Sequence, residues 1–267
     1  MELLGYVSAI VMGTVLGLMG GGGSILSVPI FVYLFHVPAM QATTYSLFVV
    51  GLSAAFGGLT YYRMGLVNKS VGIQFAIPSF FGIILMRRFV LPAIPEMLGH
   101  VQLWDHSILI GRNLIIMVVF AVIMILAAIS MIRGAVSESH SQGNQIGWNW
   151  KLYLQGLLVG SLAGFVGAGG GFLIIPALVI LVGISMKEAV GTSMWIIAAQ
   201  STVGVLSSWG QVEMNWRMLI LFVACAFVGI QIGTRLSGKI SNAKLKVAFG
   251  YFVLLMGVFI LAQELLK

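Results

Sequence analysis

Two runs of small residues interrupt long hydrophobic segments, Gly17-Leu18-Met19-Gly20-Gly21-Gly22-Gly23-Ser24 and Gly164-Phe165-Val166-Gly167-Ala168-Gly169-Gly170-Gly171. Each glycine costs a helix about 1 kcal/mol relative to alanine, so each run predicts a helix break. At bilayer depth a break frees backbone polar groups, which are tolerated only against protein or a water-filled cavity. Where the helix resumes, toward Pro29 and Pro176, its first amides lack intrahelical partners and carry the positive end of the dipole. Glycine lets an oxyanion approach that backbone closely. The expected chemistry is capture of a small anion by Gly20, Gly22, Gly23 and Ser24 from the first run and Gly167, Gly169, Gly170 and Gly171 from the second.

Polar residues accompany the breaks. Thr43, Thr44 and Ser46 follow the first run, and Thr192 and Ser193 follow the second. These hydroxyls suit helix capping or hydrogen bonds to a substrate. Gln200, with Gln74 and Ser201, is a further lining candidate. Arg88 and Arg235 end blocks of the same kind, where they either snorkel to the lipid surface or steer anions to a cavity mouth. Glu188, beside Lys187 at the start of a block, is the candidate for proton coupling, against a place in a solvated loop or at a helix N-terminus. His100 and His106 flank Asp105, but no third or fourth ligand accompanies them. Neither a metal nor a cofactor is expected.

The elements that must hold these residues are membrane spans. The 267 residues are 60% hydrophobic and 8% charged, against about 25% charged in an ordinary soluble domain. No Asp, Glu, Lys or Arg occurs from Leu3 to Tyr62, and about 20 apolar residues already cross a bilayer as a helix. A soluble fold is excluded, and the net charge of +7 reads as basic cytoplasmic loops, not as a nucleic-acid surface. The run at the N-terminus lacks a basic n-region, so the first segment is expected to be retained. Cys225, the one cysteine, allows no internal disulfide and reads as a core residue.

Eight apolar blocks are visible, at 3–35, 42–62, 70–86, 113–132, 152–186, 189–212, 218–234 and 247–263. The first and fifth exceed one span and contain the glycine runs. A shift of 147 places Gly13, Gly17, Gly20, Gly22, Gly23, Leu26 and Pro29 on Gly160, Gly164, Gly167, Gly169, Gly170, Leu173 and Pro176. The same shift places Ser46 on Ser193, Asn68 on Asn215 and Arg88 on Arg235. The fold expected is an all-α polytopic membrane protein of two pseudo-symmetric repeats, each of about four transmembrane blocks with a discontinuous helix. Residues 1–133 form the first repeat, 134–150 a polar linker and 151–267 the second repeat. Residues between Arg88 and Arg112 form an elaborated loop without counterpart in the second half. Gly13-x-x-x-Gly17, Gly160-x-x-x-Gly164 and Gly229-x-x-x-Gly233 read as helix-packing motifs.

Single crossings put six Lys and Arg on the N-terminal side and eight on the other, while hairpins in the two long blocks make it five and nine. Either count places both termini outside. Whether the halves are parallel or inverted stays open.

Glycine-rich segments followed by Pro29 and Pro176, trailed by the Thr-Ser motif at Thr192 and Ser193, resemble the TauE/SafE family of sulfite exporter-like membrane proteins. The first half departs from the pattern with Tyr45 before Ser46, and Met86 stands opposite Gly233. The resemblance implies transport of small sulfur-containing or related organic anions, such as sulfite, sulfonates, sulfoacetate or thiosulfate.

The function expected is secondary active transport of a small anion, with proton coupling, through a midplane site at the two breaks. Transport of an unrelated organic solute and an anion channel are the alternatives in the same setting. An intramembrane enzyme is the alternative of another class. It is disfavoured because Asp105 is the only Asp, no His-Glu-x-x-His occurs, and the histidines fall in loops and connections. The expected partners are the small anionic substrate and the bilayer, with no nucleic acid and with homo-oligomerisation open. The expected location is the cell membrane, as a multi-pass bacterial inner-membrane protein.

Overall fold

The computed structural model describes residues 2–95, 97–103, 106–133, 150–166 and 171–265. The 134–150 linker of the sequence reading lies outside this set except for Trp150. Helices dominate. In the first half they are α1 (Glu2–Met19), α2 (Gly22–Pro29), α3 (Ala39–Arg63), α4 (Lys69–Ile84), the short α5 (Leu91–Ala93) and α6 (Arg112–Arg133). The second half contributes α7 (Trp150–Val166), α8 (Gly171–Pro176), α9 (Met186–Ser207), α10 (Trp216–Ser237) and α11 (Asn242–Leu265).

Among the described residues, six helices are long and apolar enough to cross a membrane: α3, α4 with its extension to Ala93, α6, α9, α10 and α11. Shorter apolar helices lie at Leu3–Met19, Gly23–Leu34 and Leu152–Val166.

Local chemistry sets several boundaries. Asn68 caps α4 by accepting from the Val71 amide at 3.2 Å, and Asn215 caps α10 by accepting from the Met218 amide at 3.2 Å, each satisfying one orphan donor. A capping box of Ser185 with Glu188 starts α9. Pro29 and Pro176 end α2 and α8, and the chain continues as π-helical turns at Ile30–Leu34 and Ala177–Val182. A proline lacks the amide hydrogen that the next rung needs, and a widened turn accommodates the missing rung.

Two features depart from the sequence reading. The block set at 70–86 runs on through a π turn at Leu85–Val90 to Ala93, because Arg87 is taken into the protein and does not mark the membrane surface. The insertion after Arg88 is not a plain loop. It contains an antiparallel hairpin of β1 (Met97–Leu103) and β2 (His106–Gly111), and Asp105 lies outside the described residues.

Helices from opposite halves pack main chain to main chain. A Cβ added at Gly13 would lie 2.0 Å from the Ala226 carbonyl oxygen of α10, and one at Gly160 would lie 2.3 Å from the Ser79 carbonyl oxygen of α4. Gly17 meets Ile230 and Gly164 meets Ile83, while Gly229 and Gly82 meet the carbonyls of Ile10 and Leu157. The rising order on both partners makes α1 parallel to α10 and α4 parallel to α7. In contrast α3 and α9 run antiparallel, with Gly51 against Ser201 and Gly57 against Met194. α2 folds back along α1, since Gly23 sits on Met12 and Leu16 and Phe35 reaches Gly5.

Buried side chains on α6 recur as Met117, Phe120, Ala121, Met124 and Ala128, the stripe of a helix with one protected face. The opposite surfaces are apolar and open: Leu3, Val7 and Val11 on α1, Ile73, Ile77 and Phe81 on α4, and Tyr251, Leu255 and Val258 on α11. Such surfaces suit lipid.

A bulky side chain at a backbone contact forces the helices apart. Gly13→Leu and Gly160→Leu are each expected to cost about 1–3 kcal/mol by overpacking, seen as a Tm lowered by roughly 5 °C in detergent.

Candidate functional site

Arg87 is 1% exposed, in the π turn that continues α4. Its Nε donates to the Gly164 carbonyl of α7 at 3.1 Å. Its Nη1 donates to Thr44 Oγ1 on α3 at 2.9 Å and to Ser208 Oγ, just past α9, at 2.7 Å. Nη2 is buried with no hydrogen-bond partner. All three partners are neutral oxygens. A guanidinium stays protonated in proteins, and an unpaired buried charge is costly, so this position carries net positive charge inside the protein.

Thr44 and Ser208 also line a cavity of about 240 Å³ with Val205, Val212, Met214 and Trp216. Its wall is the 208–215 connection, which Tyr45 ties to α3. The Tyr45 hydroxyl donates to the Glu213 carbonyl at 2.9 Å and accepts from the Asn215 amide at 3.0 Å and from Gln41 Nε2 at 2.8 Å. Tyr45 therefore does a structural task where the second half has Thr192, whose hydroxyl accepts from the Asn68 amide at 2.9 Å. At the other end of the molecule the Tyr61 hydroxyl donates to the Gly17 carbonyl at 3.0 Å and shares a hydrogen bond with Ser237 Oγ at 2.8 Å.

Between these ends the glycine segments touch. α1 stops at Met19 and α2 starts at Gly22, with Gly20 at φ +70. A Cβ at Gly21 would lie 1.9 Å from the Gly171 carbonyl carbon, so only glycine fits there. Gly20 abuts Val190 and Ser193, and Gly171 abuts Ile197, all on α9.

The other residues named from sequence fall in several environments. Ser24 donates to the Gly21 carbonyl at 2.6 Å, Thr43 to the Met40 carbonyl at 2.7 Å and Ser193 to the Val190 carbonyl at 2.9 Å. Ser46 pairs with Ser27 of α2. Gly22 opens α2, and Gly23 is packed on α1. Gln200 and Ser201 are buried in α9 with no hydrogen-bond partner. Gln74 is bonded to Ser70 on its own helix. Arg88 and Arg235 are exposed, and Glu188 is in the capping box of α9. Gly167, Gly169 and Gly170 lie outside the described residues. Among the described residues no group of three or more His, Cys, Asp or Glu could hold a metal.

The family model described as "Sulfite exporter TauE/SafE" matches residues 6–260. The chain belongs to the TauE/SafE family. TauE/SafE-like relatives include a "Probable membrane transporter protein" of Xylella fastidiosa, 26% identical over 93% of this chain and 90% of that one. Another is the "Probable membrane transporter protein YdhB" of Bacillus subtilis, 23% identical over 89% and 91%. A third, YtnM of the same organism, carries the same description and is 25% identical over 93% and 78%. As a TauE/SafE member with six helices, among the described residues, long and apolar enough to cross a membrane, the chain is a multi-pass membrane transporter.

Sequence reasoning missed Arg87, Ser208 and the hydrogen-bonding task of Tyr45. A signal for the first was present: adjacent arginines on a helix point about 100° apart, so when one of Arg87 and Arg88 faces lipid headgroups the other turns toward protein.

The Gly21 contact has a measurable signature. Gly21→Ala is expected to lower Tm at least as far as Gly13→Leu does. Gly65→Ala, at φ +73 with nothing within 4 Å of its added Cβ, should cost no more than about 1–2 kcal/mol.

Proposed function

We propose that this TauE/SafE protein is a secondary active transporter of a small anion, sulfite or a sulfonate or a related organic anion, driven by proton movement. Buried Arg87 carries the reading. A permanent cation held by neutral oxygens, with Nη2 uncommitted, is poorly compensated until an anion joins it. Ionisable groups inside membrane proteins mark substrate pathways by default. Its partners Thr44 and Ser208 open onto the 240 Å³ cavity, room for a sulfur oxyanion.

The route we assign runs from that mouth to a midplane site at the glycine segments, with Gly20, Gly22, Gly23 and Gly171 supplying backbone. The two halves, in this proposal, are inverted repeats. Support comes from the contacts: Gly13 with Ala226 and Gly160 with Ser79 are the same pair of positions after the 147 shift, and the shift-related helices α3 and α9 lie antiparallel. With α1 and α2 as a hairpin, the Arg87 mouth lies at the end with five of the fourteen Lys and Arg. The positive-inside rule assigns that end to the exterior of a cell membrane. Arg88 and Arg235 then sit toward opposite faces, one near each mouth, where they can steer anions.

Uptake into proteoliposomes of labelled sulfite, thiosulfate, sulfoacetate, taurine and acetate, with and without a pH gradient, tests the proposal. Saturable, gradient-dependent uptake of one sulfur oxyanion is expected. Arg87→Gln should raise the half-saturating concentration roughly ten- to a hundredfold, with Arg87→Lys between. Folded Arg87→Gln protein with wild-type uptake overturns the arginine's role, and carriage of a neutral solute alone overturns the anion.

Glu188 is the carboxylate assigned to coupling. Glu188→Gln is expected to remove the response to the pH gradient, and unchanged gradient-driven uptake takes Glu188 out of the mechanism.

A further inference from the structure

Four buried side-chain atoms in the middle of the molecule have no hydrogen-bond partner: Ser53 Oγ, Ser201 Oγ, and both Nε2 and Oε1 of Gln200. Ser53 and Ser201 are 1% exposed and Gln200 is 0% exposed. Buried polar groups are almost always satisfied, so three unsatisfied residues at one level call for an explanation. They lie near the midpoints of α3 and α9, where these antiparallel helices cross and Gly51 sits 2.6 Å, at its added Cβ, from Ser201 Cβ.

Helical spacing says which way they face. Residues seven apart share a helix face, so Ser53 faces as Ser46 does, toward Ser27 of α2. Gln200 shares a face with Ser193 and Ile197, which meet Gly20 and Gly171. The side chains of Ser53 and Gln200 therefore turn toward the touching glycine segments, whereas Ser201 faces α3 at Gly51, about 200° around that helix from Ser53. Ser53 and Gln200 are also 147 positions apart, the shift that relates the two halves.

We propose that Ser53 and Gln200 form a neutral midplane station for a small oxyanion, which reaches it from Arg87. This rests on the transport reading above. A hydroxyl and an amide NH₂ supply three donor hydrogens, the complement of an oxyanion stripped of water. The N-terminus of the eight-residue α2 opens at the same level, with the positive end of its dipole there, which favours an anion over a metal cation on the same oxygens. No Asp, Glu, Lys or Arg occurs in residues 39–62 or 189–207, so the station holds its guest by dipoles alone. A pathway needs sites weak enough to release what they bind, and a dipolar stop beyond a full positive charge meets that need.

The test uses reconstituted full-length protein with labelled sulfite as probe, measuring equilibrium binding, exchange across the vesicle membrane, and Tm. Gln200→Leu and Ser53→Ala each remove donors of the station but leave Arg87. They are expected to bind sulfite within about threefold of wild type, to exchange it at least about tenfold more slowly, and to keep or raise Tm, since unsatisfied polar groups are being removed.

Gln200→Glu places a carboxylate at the station and should stop sulfite exchange, more completely as pH rises through the carboxylate's ionisation. If that variant does not fold, the two neutral variants still decide the matter. Wild-type exchange by both neutral variants, or Na⁺-dependent sulfite exchange appearing in Gln200→Glu, overturns the station while leaving the Arg87 reading intact. Wild-type protein that neither binds nor carries sulfite takes down the sulfite-transport reading and the station together.

Discussion

Helix backbones in this molecule meet with no side chain between them, and the rest of the architecture follows from that contact. Lipid tails are as apolar as leucine, so burial of hydrocarbon does little to draw helices together in a bilayer. Close approach substitutes for it. Gly13 and Gly17 seat α1 on Ala226 and Ile230, and Gly160 and Gly164 seat α7 on Ser79 and Ile83. Each of these contacts joins the first half to the second, so neither half presents its packing face alone. Between the two pairs, α3 and α9 cross through Gly51 and Gly57, and the hairpin of α1 and α2 is left projecting inward until Gly21 reaches Gly171.

Against that apolar packing the polar groups are few, and their placement differs between the two ends. The Gly17 carbonyl is met by the Tyr61 hydroxyl, whereas Gly164, 147 positions later, is met by the Arg87 guanidinium. A phenol is neutral and completes its bonding with Ser237. A guanidinium brings a full charge and five donors, of which three are used by Gly164, Thr44 and Ser208. The two ends of the molecule thus differ: a neutral hydroxyl contact at Gly17 and a buried positive charge at Gly164, beside the cavity that Thr44 and Ser208 line.

Much of this was legible in the chain. The glycine runs, their prolines and the Gly-x-x-x-Gly spacings are signals in which residue type alone restricts backbone geometry, and Gly20, Gly21, Gly13 and Gly160 occupy positions where a Cβ is strained or has no room. The hydroxyls were harder. Thr44, Thr192 and Ser46 were grouped by position, yet one binds Arg87, one accepts a backbone amide from the other half and one pairs with Ser27. Equal residue types diverge because hydrogen-bond partners come from distant segments. Arg88 has an arginine 147 positions on and Arg87 has Thr234 there, so spacing points to the wrong member of the pair. The hairpin after Ala93 escaped because an insertion has no repeat partner to compare with.

Composition and periodic spacing alone determined that this chain is a helical membrane protein, that small residues pack its helices and that its first long block is interrupted between Met19 and Gly22. These are local consequences of hydrophobicity, of the missing Cβ and of the missing proline amide, and they hold wherever the segments end up. Only the tertiary structure decided which helix meets which, that α3 and α9 are antiparallel, that Arg87 and not Arg88 turns inward, and that Ser53, Gln200 and Ser201 share one level beside the glycine contact. Those facts depend on rotations and registers of whole helices, set by packing contacts between residues more than a hundred positions apart. Local propensity carries no term for such contacts.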